Sequence, residues 1–292
     1  MKPNHLTKLK SNEPSITLSG KSTFNYILYS DVLNVVLSNK IGTYDLVSNG
    51  NVNINTIKEL KEVPKEFGVE VDLRDYGNRL ILQHDPFKDG EDFEEALQIM
   101  EGLVQQRGLY PAHGVNHPLV LSGAGTITLE VLDQIEQLNE SLDAMVIAVG
   151  GGSQAVGAMT VLRNRYPQVQ VYGVQAEGAP TMHEAWKRRE PMVGDGITTF
   201  AEGLSTRQTY EQTFGALCSG LAGFVLVSDA QIAEAMRLIW RTTHTLLEPA
   251  GAAGVAALAT LEDHLRDRTV AVIFSGANVD LDTASRVLSG QL

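Results

Sequence analysis

The chain predicts an α/β fold with a parallel sheet covered by helices, and three observations predict it. From residue 93 onward, apolar runs of strand length alternate with segments whose apolar residues recur at helical spacing. Several runs, residues 144–149 and 169–174 among them, are almost wholly apolar, as strands buried on both faces are. The first of these runs leads directly into Gly150-Gly151-Gly152-Ser153, a glycine turn placed between a strand and the helix after it.

Taken in order, residues 26–37 read as a helix or long apolar segment and 44–47 as a short strand. Ser48-Asn49-Gly50-Asn51 reads as a loop, and residues 54–60 open a helix that must end before Pro64. Residues 69–73 alternate as a strand does. Residues 93–106 carry a helical pattern that stops at Gly108, and 127–138 form a second amphipathic helix. After the strand at 144–149, a helix runs from Ala155 to about Arg165, followed by a strand at 169–174. Residues 224–227 and 270–274 supply the last two strands. Between them Ser228 and Gln231 form a capping box for a helix over 232–246. Composition shifts along the way. The first alanine is Ala96, while asparagine crowds the earlier part at positions 25, 34, 39, 49, 51, 53 and 55, so the two parts are judged separately.

A net charge of −12 argues against general affinity for nucleic acid or anionic membrane. A small anion would therefore need a local site made from backbone N–H groups. Cys218 is the only cysteine, which excludes an internal disulfide and suits a reducing, cytoplasmic setting; in its apolar, Gly-rich stretch it reads as packing. No apolar run reaches the roughly 18 residues of a membrane span. The N-terminus, with Lys2, His5, Lys8 and Lys10 among polar residues, has no hydrophobic signal core.

The chemistry begins at the glycine turn. Residues without a Cβ let the backbone approach a ligand, successive N–H groups point at it, and the next helix adds its positive end. A small phosphate fits such a turn; a plain strand–helix turn is the alternative. So is a dinucleotide site, because Gly150-x-Gly152-x-x-Ala155 satisfies a relaxed glycine fingerprint, with Glu177 placed to serve the ribose. Gly20-Lys21-Ser22-Thr23 makes a poor P-loop, since Ser15 stands where its first glycine belongs.

The neighbours of the turn separate these readings. Upstream lie His117-Pro118-Leu119 and Ser122-Gly123-Ala124-Gly125-Thr126-Ile127. Downstream follow Phe200-Ala201-Glu202-Gly203-Leu204, Leu247-Glu248-Pro249-Ala250-Gly251-Ala252 and Phe274-Ser275-Gly276-Ala277-Asn278-Val279-Asp280. In this order and spacing, over about residues 93–280, the chain resembles the threonine/serine dehydratase and serine racemase group of fold type II pyridoxal-phosphate enzymes. The resemblance implies a tryptophan synthase β-like fold of two lobes with parallel sheets. Residues 1–40 and 120–292 would form the large cofactor-binding lobe, and 41–119 a shortened substrate-side lobe.

It also implies roles. Gly150, Gly151, Gly152 and Ser153 would hold the phosphate of pyridoxal phosphate, and Ser275 would hydrogen-bond its pyridine nitrogen. A neutral partner there suits β-elimination better than transamination. Ser48-Asn49-Gly50-Asn51 would match the family's Ser-Ser-Gly-Asn loop. There Ser48 and Gly50 would bind the substrate carboxylate, and Asn51 would lie by the cofactor's phenolic oxygen. Two departures stand out. Asn25, in Thr23-Phe24-Asn25-Tyr26, occupies the place of the lysine that holds the cofactor covalently, and an amide cannot make that bond. Asn49 replaces the loop's second serine, an acid/base group. Lys21 and Lys40 lie near but without the family's neighbours. Gln175 and Thr181 stand where some relatives carry acidic metal ligands, so no divalent cation is expected. His113, His117, His244 and His264 read as hinge, surface or boundary residues, the last two on helices. The stretch with His84, Asp85 and Lys88 finds no counterpart.

Two functions follow from the resemblance. One is an ammonia-lyase converting a β-hydroxy amino acid to a 2-oxo acid and ammonia, as a homodimer and, with nothing after Leu292, of the short catabolic type. The other is a relative that binds the cofactor without turning substrate over.

Overall fold

A computed structural model describes residues 113–292 throughout and, before them, residues 16–18, 22–24, 26–27, 73–76, 79–82, 91–92, 102 and 105–106. The chain divides into two compact units, Met1–Val36 with His113–Leu292, and Leu37–Ala112.

The first unit is built on a parallel sheet of five strands in the order β3-β10-β7-β8-β9. These are β3 (Tyr26–Ile27), β7 (Ala144–Ala148), β8 (Gln170–Ala176), β9 (Gly223–Val227) and β10 (Val270–Val272). A separate antiparallel pair, β1 (Ile16–Leu18) and β2 (Ser22–Phe24), precedes them. Neighbouring side chains on β7 and β8 enter opposite cores. Val146, Tyr172 and Val174 join one buried cluster, and Met145, Ile147 and Val171 the other. Both faces are therefore dry, which is why these strands are apolar almost without interruption. Each fully buried Leu or Ile, such as Leu132 or Ile239, contributes roughly 1.5–3 kcal/mol of transfer free energy.

Helix α1 (Pro118–Gln137) packs against α2 (Ser153–Arg165) on one face. α1 begins nine residues before the helix expected at 127–138. Gly123 and Gly125 of the motif at 122–127 are helical; a Cβ at Gly157 of α2 would lie 2.6 Å from the Gly125 nitrogen. Glycine here is the shape of a close helix crossing and not of a turn. On the other face, α5 (Asp229–Thr243) packs against α6 (Pro249–Thr260). The capping box at Ser228 and Gln231 is present, and α5 ends three residues earlier than expected, with His244 as its left-handed C-cap, just past the helix it was assigned to. Sequence periodicity missed α6 because each of residues 249–258 is buried, leaving no polar face to mark the period. It also missed α3 (Thr181–Arg188), α4 (Glu211–Gly220) and α8 (Leu281–Leu288); a short α7 (Glu262–Leu265) carries His264, whose ring lies 5.9 Å from that of Tyr172.

Two further expectations are corrected. Tyr26 and Ile27, read as part of a helix or long apolar segment, form an edge strand on β10; only the distant pairing with Val270 and Ala271 decides this. In the second unit the described strands β4 (Leu73–Tyr76), β5 (Arg79–Leu82) and β6 (Glu91–Asp92) are antiparallel, where a parallel sheet was expected. Only two residues, Gly77 and Asn78, separate β4 from β5, a spacing that suits a hairpin and leaves no room for a crossover. β4 shares only Leu73 with the strand expected at 69–73. Of the helix at 93–106, residues 102, 105 and 106 are described, as helical. The segments at 44–47 and 54–60, and His84, Asp85 and Lys88, lie outside the described residues.

Candidate cofactor site

The glycine turn sits at the carboxyl end of the central strand β7, where ligands of parallel α/β sheets bind. Val149 extends the pairing one residue past β7, its N–H donating to Val174 O at 2.8 Å. The chain then reverses through Gly152, whose φ of +94° places it in the left-handed region, as the N-cap of α2. No side chain caps this end, so the first-turn N–H groups of a 13-residue helix are left for solvent or a ligand. Gly150 has no space for a side chain, since a Cβ there would lie 2.2 Å from Gly203 O. Thr213, fully buried on α4, donates from Oγ1 to Gly151 O at 2.7 Å, turning that carbonyl into the protein. Gln154, the second residue of α2, has a buried Nε2 without a hydrogen-bond partner.

The turn is roofed by residues 113–116. Val115 packs on Gly151, and Asn116 Oδ1 accepts from Gln212 N–H at 2.9 Å. His113 Nδ1 accepts from the N–H groups of Val115 and Asn116, and His117 Nδ1 caps α1 by accepting from Leu119 N–H at 3.2 Å. Both histidines thus hold backbone. The His113 ring meets Tyr210, whose phenol burial pushes above its ordinary range, opposed by a hydrogen bond from Gln208.

A second loop lies at the end of β10, the strand beside β7. It carries Ser275, partly buried, and joins the start of α6 closely. Glu248 donates its main-chain N–H to Gly276 O at 3.0 Å, and its Oε2 accepts from Asn278 N–H at 3.2 Å. Gly276 is what admits that carboxylate: a Cβ there would lie 2.3 Å from Glu248 Cδ. The 3₁₀ turn Glu202–Leu204 bridges the two loops. Its Gly203 touches Gly150 on one side, and a Cβ on it would lie 2.7 Å from Ala250 Cβ on the other. Burial pushes the Glu248 carboxyl above the usual carboxylate range; the Asn278 N–H opposes the shift and the charge of Glu202 adds to it.

Gly150, Gly151, Gly152, Ser153 and Ser275 therefore come together at one end of the sheet, on the ends of adjacent strands. Asn25, Ser48, Asn49, Gly50 and Asn51 lie outside the described residues. The Glu248-Pro249 segment is legible in the sequence as a motif, but its carboxylate was not among the expected site groups; a Glu directly before a helix-opening Pro was the available signal. Ser22 and Thr23 form strand β2, which leaves no helix for a P-loop. Gln175, fully buried on β8, uses its Oε1 to accept from His183 N–H at 3.0 Å. Glu177 is exposed at the end of β8.

Residues 67–276 match the family model of the pyridoxal-phosphate dependent enzymes. The chain belongs to this family. Within it, the chain is 33% identical over 200 residues to the mitochondrial threonine dehydratase of Saccharomyces cerevisiae, covering 66% of this chain and 34% of that one. It is 31% identical over 216 residues to a catabolic L-threonine dehydratase of Staphylococcus aureus, covering 73% and 60%. Among solved structures, the processed form of threonine deaminase isoform 2 from Solanum lycopersicum has a TM-score of 0.64 at 28% identity, covering 70% of this chain and 56% of that one. Serine racemase from Dictyostelium discoideum has 0.59 at 27%, covering 65% and 60%. The chain thus spans about a third to three fifths of the length of these curated relatives.

The cradle fits the phosphate of the family's cofactor: backbone donors at a helix end, a Gly150 with no room for a Cβ, and a Gln154 side-chain nitrogen without a partner on α2. The family match starts at residue 67, after Asn25 and the loop at 48–51. Among residues 113–292 the only lysine is Lys187, in the exposed last turn of α3. A lysine joined to the cofactor within one chain must then come from residues 1–112, or be Lys187 itself.

Proposed function

We propose that this protein binds pyridoxal phosphate at the glycine turn and acts as an ammonia-lyase on a small β-hydroxy amino acid such as threonine or serine. The joined cluster of Gly150–Gly203–Glu248–Gly276 at the sheet's carboxyl end, in a chain of this family, carries the reading. Bound there, the cofactor supplies the electron sink that makes the amino acid's α-proton removable. The N–H groups of residues 150–153 hold the phosphate, and the neutral Ser275 hydroxyl faces the pyridine nitrogen. The family resemblance would give Ser48 and Gly50 the substrate carboxylate and Asn51 the cofactor's phenolic oxygen. In the net reaction the α-proton and β-hydroxyl leave as water, and hydrolysis of the remaining C–N bond gives the 2-oxo acid and ammonia. A homodimer is the expected assembly.

Asn25 and Asn49 favour a second reading, in which the chain holds the cofactor but lacks its lysine and an acid/base group. One experiment separates the two. The protein is saturated with pyridoxal phosphate, its visible absorbance recorded, and the complex reduced with borohydride and mapped by peptide mass. A modified lysine, in residues 1–112 or at Lys187, with 2-oxo acid formed from threonine or serine, supports the lyase. Saturable binding with no modified lysine and no product leaves the non-catalytic binder. No binding of cofactor or inorganic phosphate overturns both.

A further inference from the structure

The partly buried carboxylate of Glu248 bonds to the loop carrying Ser275, and the proposed chemistry gives it no task. We propose that Glu248 is the positioning residue for Ser275, holding the 275–278 loop at the distance from the glycine turn that the cofactor ring requires; this rests on the cofactor reading above. Three contacts carry the assignment. The Glu248 N–H donates to Gly276 O, so its backbone is tied to the residue beside Ser275. The Glu248 carboxylate reaches past Gly276 and accepts from Asn278 N–H, closing a clamp on both sides of the loop's bend. Behind it, Gly251 of α6 packs against the same segment: a Cβ there would lie 3.0 Å from Gly276 O and 3.5 Å from Ser275 N. Ser275 itself follows a strand that ends at Val272, beyond the reach of the sheet's ladder. Its place is set by the clamp and not by strand pairing. A side chain at residue 276 would evict the carboxylate, so the clamp and the glycine come as a pair.

The length of the glutamate matters, not its charge alone. Glu248→Gln keeps an oxygen that can accept from Asn278, whereas Glu248→Asp keeps the charge and falls short. Pyridoxal phosphate is titrated into the parent, Glu248→Gln, Glu248→Asp, Glu248→Ala, Ser275→Ala and the Glu248→Ala/Ser275→Ala double variant, read by cofactor absorbance. Glu248→Asp and Glu248→Ala are expected to bind about tenfold more weakly, the loss of one hydrogen bond to a charged group. Glu248→Gln should stay within about twofold, and the double variant should bind no more weakly than Ser275→Ala. Equal affinity of Glu248→Asp and the parent, or effects in the double variant that simply multiply, overturns the proposal. Amide exchange in the cofactor-free proteins gives a second measure: Asn278 should exchange at least about tenfold faster in Glu248→Asp than in Glu248→Gln. A parent that takes up no cofactor sinks the site reading and Ser275's role with it. The clamp is then supported or overturned by the exchange rates alone.

Discussion

The glycine turn after β7 and the Glu248–Gly276 junction after β10 are neighbours at the same end of one sheet, yet they are made differently. The turn meets uncharged groups: Gly150 a carbonyl, Gly151 the Thr213 hydroxyl and the Val115 side chain, and Gly152 the end of Leu217. The junction is backbone against an ionisable side chain, with Glu248 filling the space a Cβ would take. The first is fixed by carbonyl contacts, a hydroxyl and apolar side chains, whereas the second adds a carboxyl whose pKa burial raises.

The sharpest way to break this contrast is Gly150→Ala. Its new methyl would meet a main-chain oxygen that cannot rotate away, so a loss of about 3 kcal/mol is expected in urea unfolding, with cofactor uptake abolished. Stability equal to the parent's would show that the two loops are not braced against each other. Gly152→Ala comes next, at about 1–2 kcal/mol, because its φ is positive while its neighbour, the end of the Leu217 side chain, can shift. Gly276→Ala should cost only about 1 kcal/mol, since it displaces a side chain and not backbone, and Glu248→Ala should relieve most of that cost in the double variant. Simple addition of the two effects would contradict the pairing of glycine and carboxylate.

The smallest expected effect is a pH dependence. The folded-state pKa of Glu248 is raised, so the fold favours its neutral form. The stability this contributes is complete below the unfolded carboxyl range and is lost as pH rises through the folded value. Thermal scans from acid to neutral pH should then show Glu248→Gln gaining on the parent as pH rises. The turn's variants should keep the parent's pH profile.

Much of the cluster was legible along the chain. Apolar runs marked β7, β8 and β9, the triple glycine marked the turn, and the order of motifs marked Ser275 and Glu248-Pro249. These are local signals, each fixed by the backbone needs of a few adjacent residues. What misled was context. α6 has no readable period because each of residues 249–258 is buried. Tyr26 and Ile27, which read along the chain as helix or apolar segment, become a strand where β10 offers an edge.

By itself, then, the sequence determined the strand–turn–helix unit at Gly150-Gly151-Gly152-Ser153, because the close approach of a neighbouring main chain at Gly150 leaves no room for a Cβ. It also determined that no lysine besides Lys187 lies beyond residue 112. Only the tertiary structure decided that Gly203 stands between Gly150 and Glu248, and that a carboxylate distant in sequence from Ser275's loop clamps it. Such contacts depend on which strands lie side by side. β7 and β10 are neighbours in the sheet although more than a hundred residues separate them in the chain.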